Sequence, residues 1–342
     1  MPPDLTPRQR FLAGLRRTRM DRAPVGSATS IATTDLMDDT GVSFPDAHLD
    51  PRKMARLALA GHTLLGFDNV MPLFSTWHEA SALGSPVNWG TRSIMPDCRE
   101  HIWKTADDIR IPPDLLSRPG CRVPLDAIAF LRRKLTDRVC VMGKVFGPWT
   151  LGYHLFGTED FLVGTLLDPD HTRRVIDRLK EVAVLFGNAQ VDAGADCLCY
   201  ADHATRDLCS PQAYRDFLMD VHREMIDRIR CPLVLHICGD TSDRLPYIAR
   251  VGFPCFHYDS KTGDETARRL AGDKLALMGG SNNPKLIRQG SREDIFADVK
   301  HKMDLGIDII GPECAVPLDA PWRNLRAFTD AAEEISRQRH SA

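Results

Sequence analysis

Eight short apolar runs divide the chain, and most of them are bounded by Gly, Pro, Asp or Asn. Their length and their Val, Ile, Leu and Cys content favour buried parallel strands. We predict strands over residues 23–27, 66–71, 139–145, 197–200, 233–238, 255–258, 275–278 and 307–310.

Between most of these runs, apolar residues recur at helical spacing. This pattern predicts helices over residues 54–65, 169–193, 211–230, 241–251, 264–271 and 292–305. A strand and a helix that alternate about eight times are typical of a barrel enzyme. We therefore predict an α/β fold in which residues 1–342 form a single (β/α)8 TIM barrel, with its active residues at the carboxyl ends of the strands.

One segment, residues 74–135, fits this alternation poorly. It is rich in Pro, Trp and charged residues. We predict that it is an insertion between the second and third strands, which forms a lid or a wall over the barrel mouth.

The composition narrows the class of protein. With 342 residues, of which 43% are hydrophobic, the chain can bury a large core. A net charge of -2 argues against a nucleic-acid partner or an anionic membrane. The start of the chain, Met1-Pro2-Pro3-Asp4, does not resemble a signal peptide, and no apolar run is long enough to span a bilayer. We expect the ten cysteines to be reduced and the protein to be cytoplasmic.

The strongest chemical motif is His236-Ile237-Cys238, which ends the fifth predicted strand, together with Cys314, which follows the last one. Residues i and i+2 of a strand point to the same side, so His236 and Cys238 can face one ion. Two thiolates and one imidazole suit zinc, and a reactive zinc keeps its fourth position for water or substrate. The motif therefore predicts an open zinc site.

Two other interpretations of the motif stay open at this point. Cysteine is among the most buried residue types, so the three residues could simply pack in the core. Alternatively, a fourth protein ligand could close the site, and the candidates are Cys255, Asp240, Glu313 and His257.

Nearly the whole chain resembles the uroporphyrinogen decarboxylase superfamily, and within it the zinc-dependent methylcobamide:thiol methyltransferases. The matching pieces are Thr6-Pro7-Arg8-Gln9-Arg10, Asp21-Arg22-Ala23-Pro24-Val25, Gly66-Phe67-Asp68, Gly143-Lys144-Val145-Phe146-Gly147-Pro148, Gly194-Ala195-Asp196, Ser210-Pro211, His236-Ile237-Cys238-Gly239, Gly279-Gly280-Ser281-Asn282-Asn283-Pro284 and Gly311-Pro312-Glu313-Cys314. The family's zinc ligands fall on His236, Cys238 and Cys314. The resemblance implies an enzyme that moves a methyl group from a methylated corrinoid to a zinc-activated thiol such as coenzyme M.

The resemblance leaves other reactions open. True decarboxylases of the superfamily carry an Arg-rich motif after the first strand, whereas Gly26-Ser27-Ala28-Thr29-Ser30 stands here without a cation. Decarboxylation is therefore the weaker alternative. Homocysteine or tetrahydrofolate could replace coenzyme M as the acceptor, and a corrinoid-protein partner without activity is a third class.

The corrinoid is expected to arrive on a separate protein. The chain has no Asp-x-His-x-x-Gly cobalamin-binding motif and no spare domain. Trp77, Trp149 and Tyr153 are candidates to line a cleft for the flat corrinoid ring, although aromatic residues at such spacing more often belong to the core.

Several polar residues near strand ends are weaker candidates. Glu79, Asp202 and His203 could provide a mobile fourth zinc ligand or accept the proton of the incoming thiol. Salt bridges or surface positions would explain them equally well. For an anionic acceptor, the plausible cations are Arg206, Lys144 and Lys261.

Overall fold

A single parallel sheet organises the structure, which is a computed structural model that describes residues 5–341. Residues 1–4, on which the signal-peptide prediction rests, lie outside this range. Among the described residues the sheet has seven strands in the order β1 to β7, and each pairs in parallel with the next strand along the chain. The strands are β1 Asn69–Val70, β2 Cys140–Phe146, β3 Cys197–Ala201, β4 Leu233–His236, β5 Cys255–Tyr258, β6 Ala276–Ser281 and β7 Ile309–Pro312.

The first predicted strand, over residues 23–27, is a single bridge between Val25 and Ile310 instead of a full strand. Its hydrogen bonds reach both edges of the sheet: the Ile310 amide donates to the Pro24 carbonyl at 2.9 Å, and the Asp68 amide donates to the Val25 carbonyl at 2.7 Å. Pro24 has no N–H to donate, which shortens the ladder. Seven of the eight predicted strands are therefore present, and the remaining segment links β7 to the residue before β1.

Glycine allows this close approach of backbones. A Cβ atom on Gly311 would lie 1.9 Å from the carbonyl oxygen of Gly26. Any larger residue at position 311 would force the 23–27 segment away from the sheet.

Helices follow most strands and cover the outside of the sheet. Within residues 5–341 they are α1 Pro7–Leu15, α2 Thr34–Thr40, α3 Asp46–Leu49, α4 Pro51–Thr63, α5 His78–Leu83, α6 Pro119–Leu135, α7 Pro148–Phe156, α8 Thr158–Leu167, α9 Pro169–Asp192, α10 Pro211–Ala213, α11 Met219–Arg228, α12 Leu245–Ile248, α13 Asp264–Ala271, α14 Arg292–Leu305 and α15 Trp322–Ser341. None of the helices in this range combines the length and the apolar character needed to cross a bilayer.

The predicted helices differ from the observed ones mainly in their continuity. The helix predicted over 211–230 is divided into α10, a π-helical turn Tyr214–Leu218, and α11. The helix predicted over 241–251 shrinks to α12, because Pro246 cannot donate a helical hydrogen bond and fits only in a first turn.

Segment 74–135 contains more regular structure than its sequence indicates. It begins with α5, continues through two short antiparallel bridges, Asn88↔Asp97 and Thr91↔Ile94, and ends in α6. Because α6 packs against both α4 and α5, residues 119–135 belong to the helical layer.

The register of the sheet fixes which side chains face its interior. A Cβ on Gly143 would lie 2.2 Å from Gln190 of α9, so position 143 faces the helices and Lys144 faces the opposite side. Paired residues of neighbouring parallel strands lie on the same face, so the interior face also includes Cys199, which pairs with Lys144, and Ala201, which pairs with Phe146 and with His236.

Candidate metal centre

Two strand ends bring the three predicted zinc ligands together. His236 is the last residue of β4, Cys238 lies two residues beyond it, and Cys314 lies two residues beyond β7. The His236 Nε2 atom is 3.1 Å from Cys238 Sγ and 3.6 Å from Cys314 Sγ, and the two sulfurs are 2.9 Å apart. Gly239 has a φ of 84°, which turns the chain away directly after Cys238. We call these three donor atoms the ligand triangle.

The triangle fits a zinc ion in its donor chemistry and nearly in its size. With bonds of about 2.3 Å to sulfur and about 2.0 Å to nitrogen, a tetrahedral ion would hold two sulfurs about 3.8 Å apart and a sulfur and a nitrogen about 3.5 Å apart. The sulfur pair, at 2.9 Å, would have to open by less than about 1 Å. At that separation the sulfurs are also too distant for a disulfide, whose bond is about 2.05 Å.

A chain of hydrogen bonds orients the His236 imidazole. His257 Nε2 lies 2.8 Å from the Pro312 carbonyl oxygen, and His257 Nδ1 lies 2.7 Å from His236 Nδ1. A carbonyl only accepts, so His257 must donate from Nε2 and accept at Nδ1. His236 therefore carries its hydrogen on Nδ1 and presents the lone pair of Nε2 to the two sulfurs. Such outer contacts fix the tautomer of histidines that bind metals.

His257 was expected only as a possible fourth ligand, and its role as a support for His236 was missed. This role follows from the pairing of His236 with His257 across β4 and β5, which can be recognised only when the strand register is known. Gly279 makes room for the ring, because a Cβ there would lie 2.6 Å from His257 and 2.8 Å from the Pro312 oxygen. Cys255, another proposed fourth ligand, begins β5 and lies two residues before His257.

Burial keeps both imidazoles neutral. It lowers the pKa of His257 to about 4 and the pKa of His236 well below its usual range. The sulfurs behave as a pair: the hydrogen bond with Cys238 lowers the pKa of Cys314, and the same contact raises the pKa of Cys238. Cys314 is therefore the first of the two to ionise.

Two other proposed fourth ligands already have partners. One oxygen of Glu313 accepts from the Asn283 amide at 2.8 Å and the other accepts from the Ser260 amide at 3.1 Å. Asp240 forms an ion pair with Arg206 at 2.9 Å. Both carboxylates therefore fix the loops around the mouth, and among the described residues neither belongs to the group of possible metal donors around His236 and Cys238.

His203 is the candidate that lies beside the triangle. Its donor atom and those of His236 and Cys238 all lie within 4.8 Å of one another, which is itself a grouping that could hold a metal ion. Cys314 is the better third member, because its sulfur is 2.9 Å from Cys238 Sγ. The His203 Nδ1 atom accepts from the Cys238 amide at 3.5 Å, and burial lowers the pKa of His203 to about 4.

Glu79 lies in the first turn of α5, fully buried at the end of β2. Its Oε1 atom accepts from the Phe146 amide at 2.9 Å, whereas Oε2 has no hydrogen-bond partner among the described residues. Burial raises the pKa of Glu79 to about 7. A carboxyl group with this pKa can exchange a proton near neutral pH.

Asp202 serves a different purpose from its neighbour His203. One oxygen accepts from the Thr150 amide at 2.9 Å, and the other is 3.0 Å from His222 Nε2. Tyr214 completes this buried network at 3.1 Å from His222 Nδ1. Asp202 thus joins α7 and α11 to the end of β3, and both of its oxygens are already hydrogen-bonded.

Two of the three aromatic candidates do not line an open cleft. Trp149 has no exposed surface, packs edge-on against Phe161, and donates to the Tyr153 hydroxyl. The Tyr153 hydroxyl in turn donates to the His203 carbonyl at 3.2 Å. Trp149 therefore lies in the core, while Tyr153 holds the backbone of the loop that carries His203.

The third aromatic candidate, Trp77, is half-buried at the mouth. Its ring stacks on His154 with centroids 4.2 Å apart. A further imidazole follows it in the chain: His78 is fully buried and tilted against Trp89, with centroids 5.1 Å apart. Burial lowers the pKa of His78 and of His154 to about 3, so both stay neutral. This side of the mouth combines aromatic surface with neutral imidazoles.

Comparison with known proteins adds a second line of information. The family model described as uroporphyrinogen decarboxylase (URO-D) matches residues 6–335. A methylcobamide:CoM methyltransferase, MtaA, of Methanosarcina barkeri is 31% identical over 334 residues, which cover 97% of this chain and 98% of that protein. A methylated-thiol–coenzyme M methyltransferase of Methanosarcina mazei is 31% identical over 97% of this chain and 90% of its own length.

A solved structure shares the fold closely. It is a methyltransferase from Methanosarcina mazei, which superposes with a TM-score of 0.94 at 31% sequence identity and covers 97% of this chain and 99% of its own. The similarity therefore extends through the sheet, the helical layer and segment 74–135.

Proposed function

Because the chain belongs to the uroporphyrinogen decarboxylase family, and its relatives described above are methyltransferases, we propose that it is a zinc-dependent enzyme that moves a methyl group from a methylated corrinoid to a thiol. The observation that carries this proposal is the convergence of His236 Nε2, Cys238 Sγ and Cys314 Sγ within 3.6 Å of one another at the strand ends. Coenzyme M is the acceptor we expect first.

The ligand set suits the activation of a thiol. When bound, zinc supplies a Lewis acid to which the acceptor sulfur can coordinate as a thiolate. Cys238 and Cys314, both ionised, cancel the two charges of the ion, and His236 remains neutral. These side chains therefore leave the electron density on the acceptor sulfur, which stays nucleophilic.

The transfer itself is an in-line displacement. The acceptor sulfur forms a bond to the methyl carbon, the carbon–cobalt bond breaks with its electron pair kept by cobalt, and the thiol proton leaves to a base. His203 and Glu79 are the bases that we propose. Full ionisation of a thiol gains only about thirtyfold at neutral pH, whereas alignment of the reacting atoms can reach effective molarities of about 10⁵ M. Positioning is therefore the larger contribution.

We propose that the remaining residues at the mouth bind the corrinoid. We propose that the corrinoid arrives on a separate protein, that Trp77 meets its ring, and that segment 74–135 forms one wall of the cleft. The 23–27 bridge would complete a (β/α)8 barrel in one domain. We also propose a cytoplasmic location, because thiolate ligands need a reducing compartment.

Decarboxylation is less well supported. The loop after the 23–27 segment, where decarboxylases hold their substrate's carboxylates, is buried and uncharged here: Ser27 and Thr29 bond to each other at 3.2 Å. These hydroxyl groups are directed at their own loop, and they offer no positive charge to a polycarboxylate.

A zinc analysis joined to a demethylation assay tests the proposal. We expect about one zinc per chain, thiol-dependent loss of the methyl group from methylcobalamin, and recovery of activity when zinc is returned to chelated protein. The Cys231→Ala variant is the control, since Cys231 precedes β4 at the opposite end of the barrel. Metal-free protein that decarboxylates a porphyrinogen and leaves methylcobalamin intact would contradict the proposal.

A further inference from the structure

Lys144 is a buried cation beside the metal centre that makes no ion pair with any described carboxylate. It lies in the middle of β2, faces the interior of the sheet, and is 4% exposed. Its Nζ atom lies over the Phe146 ring, 4.9 Å from the centroid. A buried charge without a counter-ion lowers the free energy of unfolding. A lysine in this position therefore indicates that a negatively charged ligand binds beside it.

The backbone of Lys144 is fixed from outside the sheet. Gln190 of α9, which is fully buried, accepts from the Lys144 amide at 2.9 Å and donates to the Lys144 carbonyl at 2.8 Å. Two hydrogen bonds to one side chain hold this residue in place, so its side chain leaves the strand from a rigid base.

The surroundings of Lys144 are uncharged or only partly charged. Phe146, over which its ammonium lies, also contacts the rings of His154 and His203 at 5.8 and 6.4 Å. Both imidazoles are neutral, because burial lowers the pKa of each. The carboxyl group of Glu79 feels the charge of Lys144, but burial raises the pKa of Glu79 to about 7, so it cannot fully neutralise Lys144 at neutral pH.

Ring contacts connect Lys144 to the ligand triangle. Its Nζ atom lies over Phe146, the ring centroids of Phe146 and His203 are 6.4 Å apart, and those of His203 and His236 are 5.4 Å apart. An acceptor whose sulfur meets the triangle can therefore bring a negative group toward the ammonium.

The other two cations near the mouth differ from Lys144. Arg206 is 58% exposed and pairs with Asp240 at 2.9 Å. Lys261 is 64% exposed and lies 3.9 Å from Asp207. Water and these carboxylates already satisfy both, so neither has a comparable need for an anion.

We infer that Lys144 is the anion-binding residue of the acceptor site, and that it selects a small thiol carrying a sulfonate or carboxylate over an uncharged thiol of the same size. This inference rests on the proposed function, because the acceptor must be a thiol held at the ligand triangle. Lys144 would hold the charged end of the acceptor while its sulfur faces the methyl donor.

Binding and kinetics of matched thiols test this role. The zinc-loaded protein is titrated with mercaptoethanesulfonate and with mercaptoethanol by calorimetry, and methylcobalamin demethylation is then followed with both. We expect the sulfonate to bind about 10- to 100-fold more tightly, because a charge-assisted contact is worth that much. In Lys144→Met, compared with wild type at matched zinc content, the ratio of the two affinities should fall to about one.

Matched variants separate the outcomes. Lys144→Arg should keep the preference for the sulfonate, and Lys261→Met and Arg206→Met should leave it unchanged. Equal affinity of the wild-type protein for both thiols would overturn the inference even if Lys144→Met did not fold. Loss of preference in Lys261→Met or Arg206→Met, with Lys144→Met unaffected, would also overturn it. Absence of demethylation with every thiol is a different result, since it contradicts the proposed function itself.

Discussion

The sheet contains two close pairs of cysteines at opposite ends, and they differ in almost everything except their sulfurs. At the mouth, Cys238 and Cys314 are 2.9 Å apart with His236 beside them. At the base, Cys140 and Cys197 begin β2 and β3 with their sulfurs 3.7 Å apart. Two adjacent thiols therefore do not by themselves make a metal site.

The surroundings explain the difference. The neighbour of the base pair is Asp196, which is already occupied by Arg8 at 2.9 Å and by Arg132. Contact with Cys140, together with burial, raises the pKa of Cys197 well above its usual range. The mouth pair has instead an imidazole whose lone pair faces it, and it lies at the strand ends where barrels carry their chemistry. The third donor and the location are what give the mouth pair its proposed function.

The largest effect is expected from removing one sulfur of the mouth pair. In Cys314→Ala we expect zinc affinity to fall by more than about 100-fold, because even an outer contact of a metal ligand is worth about 10- to 100-fold. Demethylation should fall with it. Competition with a chromogenic chelator measures the affinity, and a variant that keeps both zinc and turnover would show that the mouth pair is no different from the base pair.

The mouth also contains a buried polar atom without a hydrogen-bond partner among the described residues, Glu79 Oε2. Its folded pKa of about 7 is raised above the ordinary 4.5, so the folded state holds a proton that the unfolded state releases. The stability that this proton contributes is complete below pH 4.5 and is lost as the pH rises through 7.

Glu79→Gln should remove this dependence. Relative to wild type, the free energy of unfolding of the variant should rise between pH 4.5 and 7 and level off about 3 kcal/mol higher. Chemical denaturation across this pH range measures the difference. A difference that is the same at every pH would indicate that Glu79 is not a buried, protonated group.

Loss of the hydrogen bond that orients His236 should give the next largest effect. His257→Leu removes the closer acceptor for the His236 Nδ1 hydrogen, at 2.7 Å, and leaves the His257 carbonyl oxygen at 3.2 Å, so we expect zinc affinity to fall about 10-fold. His48→Leu is the control, because His48 is buried, has no hydrogen-bond partner among the described residues, and stacks on Phe44 away from the triangle. If the two variants lose zinc equally, the hydrogen-bond chain has no special role.

The smallest effect should come from the base pair. Cys197→Ala should lower the free energy of unfolding by about 1 kcal/mol, the usual cost of a small change in a core. Zinc content and demethylation should stay at the wild-type level, since Cys197 is a packing residue at the far end of the sheet. Loss of zinc from this variant would erase the distinction between the two ends.

The sequence predicted most of the sheet and the three members of the triangle. Strand spacing places His236 and Cys238 on one side, and Gly311-Pro312 marks the end of the strand before Cys314, so local patterns are sufficient. The 23–27 segment was predicted as a full strand because its apolar pattern does not show that Pro24 limits its ladder to one bridge.

Roles that depend on pairing between distant segments could not be predicted. His257 is one histidine in a strand until the register places it against His236. Asp202 and His203 are adjacent in the chain, yet only the fold shows that Asp202 bonds to His222 while His203 lies by the triangle. Trp149 and Trp77 look alike in sequence, and helix packing alone separates the core residue from the half-buried one.

The most direct test of the central claim is X-ray absorption spectroscopy at the zinc edge, with and without an added thiol. We predict two sulfur ligands at about 2.3 Å and at least one nitrogen at about 2.0 Å in the free protein, and a third sulfur when the thiol is added. A shell of four protein donors that does not change on addition of the thiol would contradict the claim that the ligand triangle holds an open zinc site.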